Sequence, residues 1–307
     1  MRPRDTALAV LVAVLWGSNF VFIDRGLQDV PPFAFVAFRF LLVCFPAVFF
    51  VKRPGVGLRP VLLVGLFMSA GQFGLVYLGM HLGLPTGLAP LVLQAQVLFT
   101  VLLSAAMLKE RPTRWQLGGV AIGMLGLIVV GIGRSAVAPV LPLLLVVGAA
   151  LSWAIGNVIS RQVKAASGLS MVVWSGLVVP IPMLLLSLTV DGPAAIGHAI
   201  SHLSWQVIGS AMFTAYLASL LGYGIWNTLL ARYPAPLVGP FTMLVPVVGM
   251  VTAGLVLHEA PTALEVAGGV LLLGGVAAAA LLGRRSRNTA ARAADLAAPE
   301  GHVTAGR

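Results

Sequence analysis

Apolar residues along this chain come in blocks of about 20 with scarcely a charge among them, parted by short breaks rich in basic residues, proline or glycine. Blocks of that length match a hydrocarbon core roughly 30 Å thick, whereas a helix on a soluble domain would show a polar face every third or fourth residue. Ten blocks are predicted as spanning helices, near 7–23, 33–51, 60–80, 86–108, 115–133, 139–160, 170–190, 205–230, 236–257 and 264–283. The first follows Arg2 and Arg4 as a signal peptide would. No A-x-A-like cleavage site follows it and nine more spans do, so it reads as an uncleaved first helix. The predicted fold class is an all-α polytopic membrane protein. With 59% of 307 residues hydrophobic and 9% charged, nothing is left over for a soluble domain.

Nineteen Lys and Arg against nine Asp and Glu give a net charge of +10, which in a soluble chain would suggest nucleic acid. Their placement suggests otherwise. With the N-terminus in the cytoplasm, the inner segments hold Arg2, Arg4, Lys52, Arg53, Arg59, Lys109, Arg111, Arg114, Arg161, Lys164, Arg232 and five arginines beyond residue 283. The outer loops hold Arg25 and Arg134, and Arg39 lies within a span. This asymmetry places both termini in the cytoplasm and turns the basic excess toward anionic lipid, with no nucleic-acid partner. The single cysteine, Cys44, excludes an intrachain disulfide and a Cys-rich metal site. From residue 284 to 307 the apolar period is lost, which predicts a disordered basic tail on the cytoplasmic side.

The two halves repeat each other. "LKERPT" (108–113) returns as "LHEAPT" (257–262), "LWGSN" (15–19) as "SWAIGN" (152–157), and "FGLVY" (73–77) as "YGIWN" (223–227). A spacing near 149 residues divides the chain into two units of five spans, 5–134 and 139–283. Five is odd, so the second unit enters the membrane inverted. In agreement, Lys109 becomes His258, Arg111 becomes Ala260 and Arg114 becomes Ala263, which strips fixed positive charge from the copy assigned outside. Inverted repeats place a substrate site between the halves near the midplane, and that architecture predicts a transporter.

Catalytic arrangements are missing from the sequence: it has no H-E-x-x-H, no phosphate-binding glycine loop and no G-x-S-x-G, and its histidines fall at span edges, in outer loops or in the tail. No cofactor or metal is expected. The candidate substrate residues are polar or aromatic positions within spans. Trp16 and Asn19 share a helical face, as do Trp153 and Asn157; either these faces line a cavity or they bond neighbouring helices. Tyr216, Ser219, Tyr223, Trp226 and Asn227 form a stripe on the eighth span that must meet protein or water. Gln94 and Gln96 lie roughly 200° apart on a regular helix, so one is assigned to a passenger and the other to a neighbouring helix unless Pro90 deforms the span. Arg39 either binds a substrate carboxylate or pairs with Asp24 or helix-end carbonyls. Gln72 and Tyr77 are weaker positions of the same kind. No acid lies in the middle of a span, so any proton coupling would involve a helix-end group, Asp24 and Glu259 first, unless export runs down the cargo's own gradient.

The segments "LWGSNFVFIDRGL", "PPFAFVAFRFLLVCFPAVFF", "GLPTGLAPLVLQAQVLFTVLL" and "GYGIWNTLLARYPAPLVGPFTMLVPVVGM", with the twin L-x-E-x-P-T motifs, resemble the EamA-type transporters of the drug/metabolite transporter superfamily, closest to its cysteine and O-acetylserine exporter branch. The resemblance implies an inner-membrane exporter with ten helices, two EamA repeats and a central cavity, working by alternating access on small amino acids or their metabolites. It supplies no catalytic motif to carry over. After "FVFI" this chain has Asp24 and Arg25 where relatives often have a lysine. Other cargo (aromatic amino acids, nucleobases or drugs) is the alternative within transport, and an intramembrane enzyme or a channel the alternative outside it. The expected partners are a small-molecule substrate and membrane lipid, with the chain a monomer or homodimer.

Overall fold

The computed structural model describes residues 1–136, 138–163 and 168–282, and the predicted tail 284–307 lies outside them. All regular elements among the described residues are helices. Nine of these helices are long and apolar enough to cross a membrane: Pro3–Gly26, Leu58–His81, Leu88–Leu108, Arg114–Ser135, Leu141–Gln162, Gly168–Val190, Trp205–Arg232, Gly239–Leu257 and Ala263–Leu281. The second predicted span, 33–51, forms a shorter apolar helix, Pro32–Ala47. Its 16 residues reach about 24 Å, less than a full hydrocarbon core, and a turn carries the chain on toward Lys52 and Arg53. A further short helix, Gly192–Ser201, lies between the seventh and eighth spans, where the pattern predicted none.

Four irregularities of these helices form two pairs that follow the sequence repeat, while a break over 177–179 in the seventh span and a π-helix over Ala278–Leu282 at the end of the tenth stand outside that pairing. The third span widens into a π-helix over Gly65–Gly71 and the eighth over Phe213–Leu221. The fourth span breaks at Gln94, between Leu88–Leu93 and Ala95–Leu108. There the Gln94 and Val97 N–H groups bond three residues back, and Pro90 supplies no N–H to the preceding turn. In the matching part of the ninth span, a 3-10 stretch over Gly239–Met243 precedes Leu244–Leu257. Both spans then end on a left-handed residue, Lys109 at φ 54° and His258 at φ 56°. The N–H groups of Glu110 and Glu259 each reach back six residues to a carbonyl, one residue further than the long bond of a Schellman turn. Thr113 and Thr262 each open the next helix with a capping box, closed by Gln116 and Glu265.

Packing sets the fifth and tenth spans against each other through glycine. A methyl group at Gly126 would stand 2.4 Å from the Leu272 nitrogen and 2.7 Å from the Gly268 carbonyl oxygen, so only hydrogen fits between the backbones. The first span is tied to the eighth along its length. Trp16 Nε1 donates to the Ala218 carbonyl at 2.8 Å, the Phe22 and Phe213 rings stack at 3.7 Å, and the Tyr233 hydroxyl donates to Asp5 at 2.7 Å. Outward, the helices present large apolar side chains such as Ile128, Leu255 and Val270, a surface suited to lipid and costly in water.

Candidate functional site

The first four spans and the sixth to ninth enclose a cavity of about 540 Å³, from which the paired fifth and tenth spans stand aside. Its wall is built at the irregular segments. Met68 and Ser69 come from the π-helix of the third span and Ala218 and Ser219 from that of the eighth, Gln94 sits at the break of the fourth span, and Thr242 lies in the 3-10 stretch. Non-helical backbone at membrane depth survives where protein buries it or where it borders a cavity, and π turns recur at such places.

Arg39 is 3% exposed and lines the cavity. Its Nη1 donates to the Tyr77 hydroxyl at 3.2 Å and its Nη2 to Ser219 Oγ at 3.0 Å; Ser219 in turn donates to the Thr214 carbonyl at 2.8 Å. The guanidinium carbon lies 4.0 Å from the centre of the Phe73 ring and 5.4 Å from that of Phe40. Pairing with Asp24 or with helix-end carbonyls, one of the two sequence readings, is not what the structure has. Asp24 accepts instead from the Thr86 hydroxyl at 3.3 Å, and the partners of Arg39 are two hydroxyls and an aromatic face.

Both Gln94 and Gln96 border the cavity, which corrects the division of one to a passenger and one to a neighbour. The break at Gln94 removes the regular angle between them. Each also reaches the opposite half: Gln96 accepts from Asn157 Nδ2 at 2.9 Å, and Gln94 donates to the Thr242 carbonyl at 3.4 Å. Trp16 leans on Tyr223 and Trp226, with ring centres 5.1 and 5.4 Å apart. Asn19, Gln72, Trp153 and Asn227 complete the predicted set at the wall, and Asn227 donates to the Tyr223 carbonyl at 2.7 Å.

Tyr216 is the exception. It packs against the hydrophobic core and is not part of the cavity wall, because the π-helix shifts the register between it and Ser219 and breaks the predicted stripe. Phe40, Phe73 and Thr242 were not anticipated. Phe73 lies four residues before Tyr77, a spacing that could have marked it as sharing the face that meets Arg39.

The two ends of the cavity differ. At one, Val163, Gly168 and Asn227 lie near the connection between the sixth and seventh spans. At the other, one turn beyond Pro90 and Ile23, Glu259 accepts the backbone N–H groups of Thr86 at 2.8 Å and Gly87 at 2.9 Å.

Two stretches of the chain, residues 6–132 and 140–281, match the model of the EamA-like transporter family. A probable amino-acid metabolite efflux pump of Escherichia coli (strain K12) is 42% identical over 90% of this chain and 94% of its own length. A protein of the same description from Salmonella typhimurium is 41% identical over the same shares. A probable terminal-alkyne amino-acid exporter of Streptantibioticus cattleyicolor is 28% identical over 90% of this chain and 92% of its own. A solved crystal structure with 22% identity superposes over 93% of this chain and 99% of its own, with a TM-score of 0.60, and shares the fold.

Proposed function

The chain belongs to the EamA-like transporter family, and from that membership we propose that it is an efflux carrier for small amino acids or their metabolites, cysteine and O-acetylserine among them, working by alternating access. It is a multi-pass protein of the bacterial inner membrane and transports its substrate rather than transforming it. In this reading both termini face the cytoplasm, and residues 5–134 and 139–283 are two inverted five-span units. The cavity between them is the cargo site.

The observation that carries the reading is the bordering of one cavity by structurally paired irregular segments, the π-helices of the third and eighth spans and the interruptions of the fourth and ninth, one of each pair from each half. A site shared in this way opens to either side when the halves exchange conformations. Trp16, Asn19, Arg39, Gln72, Gln94, Gln96, Trp153, Asn157, Tyr223, Trp226 and Asn227 are the cargo-facing residues in this reading. The names of the relatives from Escherichia coli and Salmonella typhimurium support the same cargo class.

The cluster of Trp16, Tyr223 and Trp226 favours a second reading, in which the cargo is an aromatic amino acid. Counterflow in proteoliposomes tests both. Labelled cysteine should accumulate against unlabelled internal cysteine, with phenylalanine and tryptophan as weak competitors. Phenylalanine or tryptophan outcompeting cysteine selects the second reading, and ion current without counterflow rejects a carrier.

A further inference from the structure

A guanidinium has five N–H donors, and in Arg39 only two have partners, both of them neutral hydroxyls. Its Nε is buried without a partner. No Asp, Glu, Lys or His lines the cavity among the described residues, so Arg39 is its only charge there. A cation held this deep among neutral groups keeps much of its desolvation penalty, and an anion brought into the cavity is what relieves it. Asn19 has the complementary need. It is 6% exposed, it lines the same cavity, and its Oδ1 is a buried acceptor without a donor. Gln72 is equally buried at the wall, and no residue among those described takes a hydrogen bond from its amide.

Resting on the efflux reading above, we propose that Arg39 is the site for the cargo's carboxylate and that Asn19 accepts an N–H from its nitrogen. The site thereby reads the carboxylate and not the charge of the amine. An ammonium and an acylated nitrogen both offer Asn19 an N–H, so zwitterions and N-acyl amino acids both fit. An amine whose carboxyl is blocked or removed brings a second positive charge toward Arg39 with nothing to neutralise either one, and is excluded.

The test uses the full chain in proteoliposomes, with counterflow of labelled reduced L-cysteine competed by N-acetyl-L-cysteine, L-cysteine methyl ester and cysteamine. N-acetylcysteine should compete within about threefold of cysteine, and the ester and cysteamine at least about tenfold more weakly, as expected for loss of a charge-assisted pair. Competition by the ester or cysteamine equal to that of cysteine overturns the proposal and leaves the efflux reading standing. No counterflow of cysteine by the wild type, with no displacement by any of the three, overturns that reading and the proposal with it.

Arg39→Gln, confirmed as folded by size exclusion, should bring acid and ester to within about threefold of each other. Retained tenfold discrimination removes Arg39 from the role. Should that variant fail to fold, the wild-type panel decides alone. Asn19→Leu should weaken cysteine and N-acetylcysteine together by about tenfold while leaving their preference over the ester in place. An Asn19→Leu protein with wild-type affinity for both assigns the nitrogen contact elsewhere.

Discussion

Glu259 holds the start of the fourth span by its backbone, taking the Thr86 N–H on one carboxylate oxygen at 2.8 Å and the Gly87 N–H on the other at 2.9 Å. Thr86 is 1% exposed and its hydroxyl donates onward to Asp24, so three segments distant in sequence meet at one end of the cavity. Hydrogen bonds to a charged group contribute about 1.5–3 kcal/mol each, enough for two of them to set which conformation predominates.

Glu259→Ala should therefore open this end. In a Cys44→Ala background, a cysteine at Ile23, which lines the cavity beside Asp24, should react with an impermeant maleimide at least about tenfold faster from the side of residues 258–263 than it does with Glu259 intact. Glu259→Gln keeps one acceptor oxygen and should fall between. Equal labelling rates with and without Glu259 would show that the contact does not hold this end shut.

The proposed inverted topology predicts that cysteines at Arg111 and Ala260, each alone in the Cys44→Ala background, label from opposite sides of the membrane. The warrant is the loss of every fixed positive charge between "LKERPT" and "LHEAPT", whose backbones nonetheless match at the left-handed Lys109 and His258. Labelling of both from one side would end the argument for inversion.

On the eighth span, neighbouring positions should separate in function. Tyr216→Phe should leave transport within about twofold of wild type, because the side chain packs in the core away from the cavity wall. Ser219→Ala removes the acceptor that holds Arg39 Nη2 and should weaken carboxylate-bearing cargo by roughly fivefold or more. Uptake kinetics on the two variants decide. A severe defect in Tyr216→Phe beside normal Ser219→Ala transport would restore the unbroken stripe.

At the crossing of the fifth and tenth spans, Gly126→Leu places a side chain where backbone atoms of Leu272 and Gly268 already stand. It should lower stability by about 1–3 kcal/mol or more, seen as an earlier melting transition in detergent. Gly118→Ala, with open space around it, is the matched control and should not lower the transition. Equal melting of the two variants would mean that the helices part without penalty.

Much of this molecule is legible in its residue pattern. Block lengths give spanning helices because a hydrocarbon core admits only segments that satisfy their own backbone, and Arg39, Asn19, Gln72 and Asn157 stand out because polar groups there need partners. The twin L-x-E-x-P-T motifs carry the repeat and the family. Pattern reading failed where it assumed regular helices. Pro32–Ala47 stops short of its predicted end, Gln94 and Gln96 meet one cavity through a break, and Tyr216 leaves its stripe through a π-helix.

The sequence by itself determined which segments enter the membrane, that the two halves repeat, and which polar side chains must find something to bind. Only the tertiary structure decided what they bind. The partners of Arg39 lie 38 and 180 residues away, on the third and eighth spans, and no local periodicity relates them. A side chain's direction around a helix turns by about 100° per residue, so a single π turn or break redirects everything beyond it. Whether such a turn forms is settled by what packs beside it. Burial requires only that the polar groups be satisfied; the meeting of eight spans at irregular segments decides which of them satisfy one another and which remain turned to the cavity.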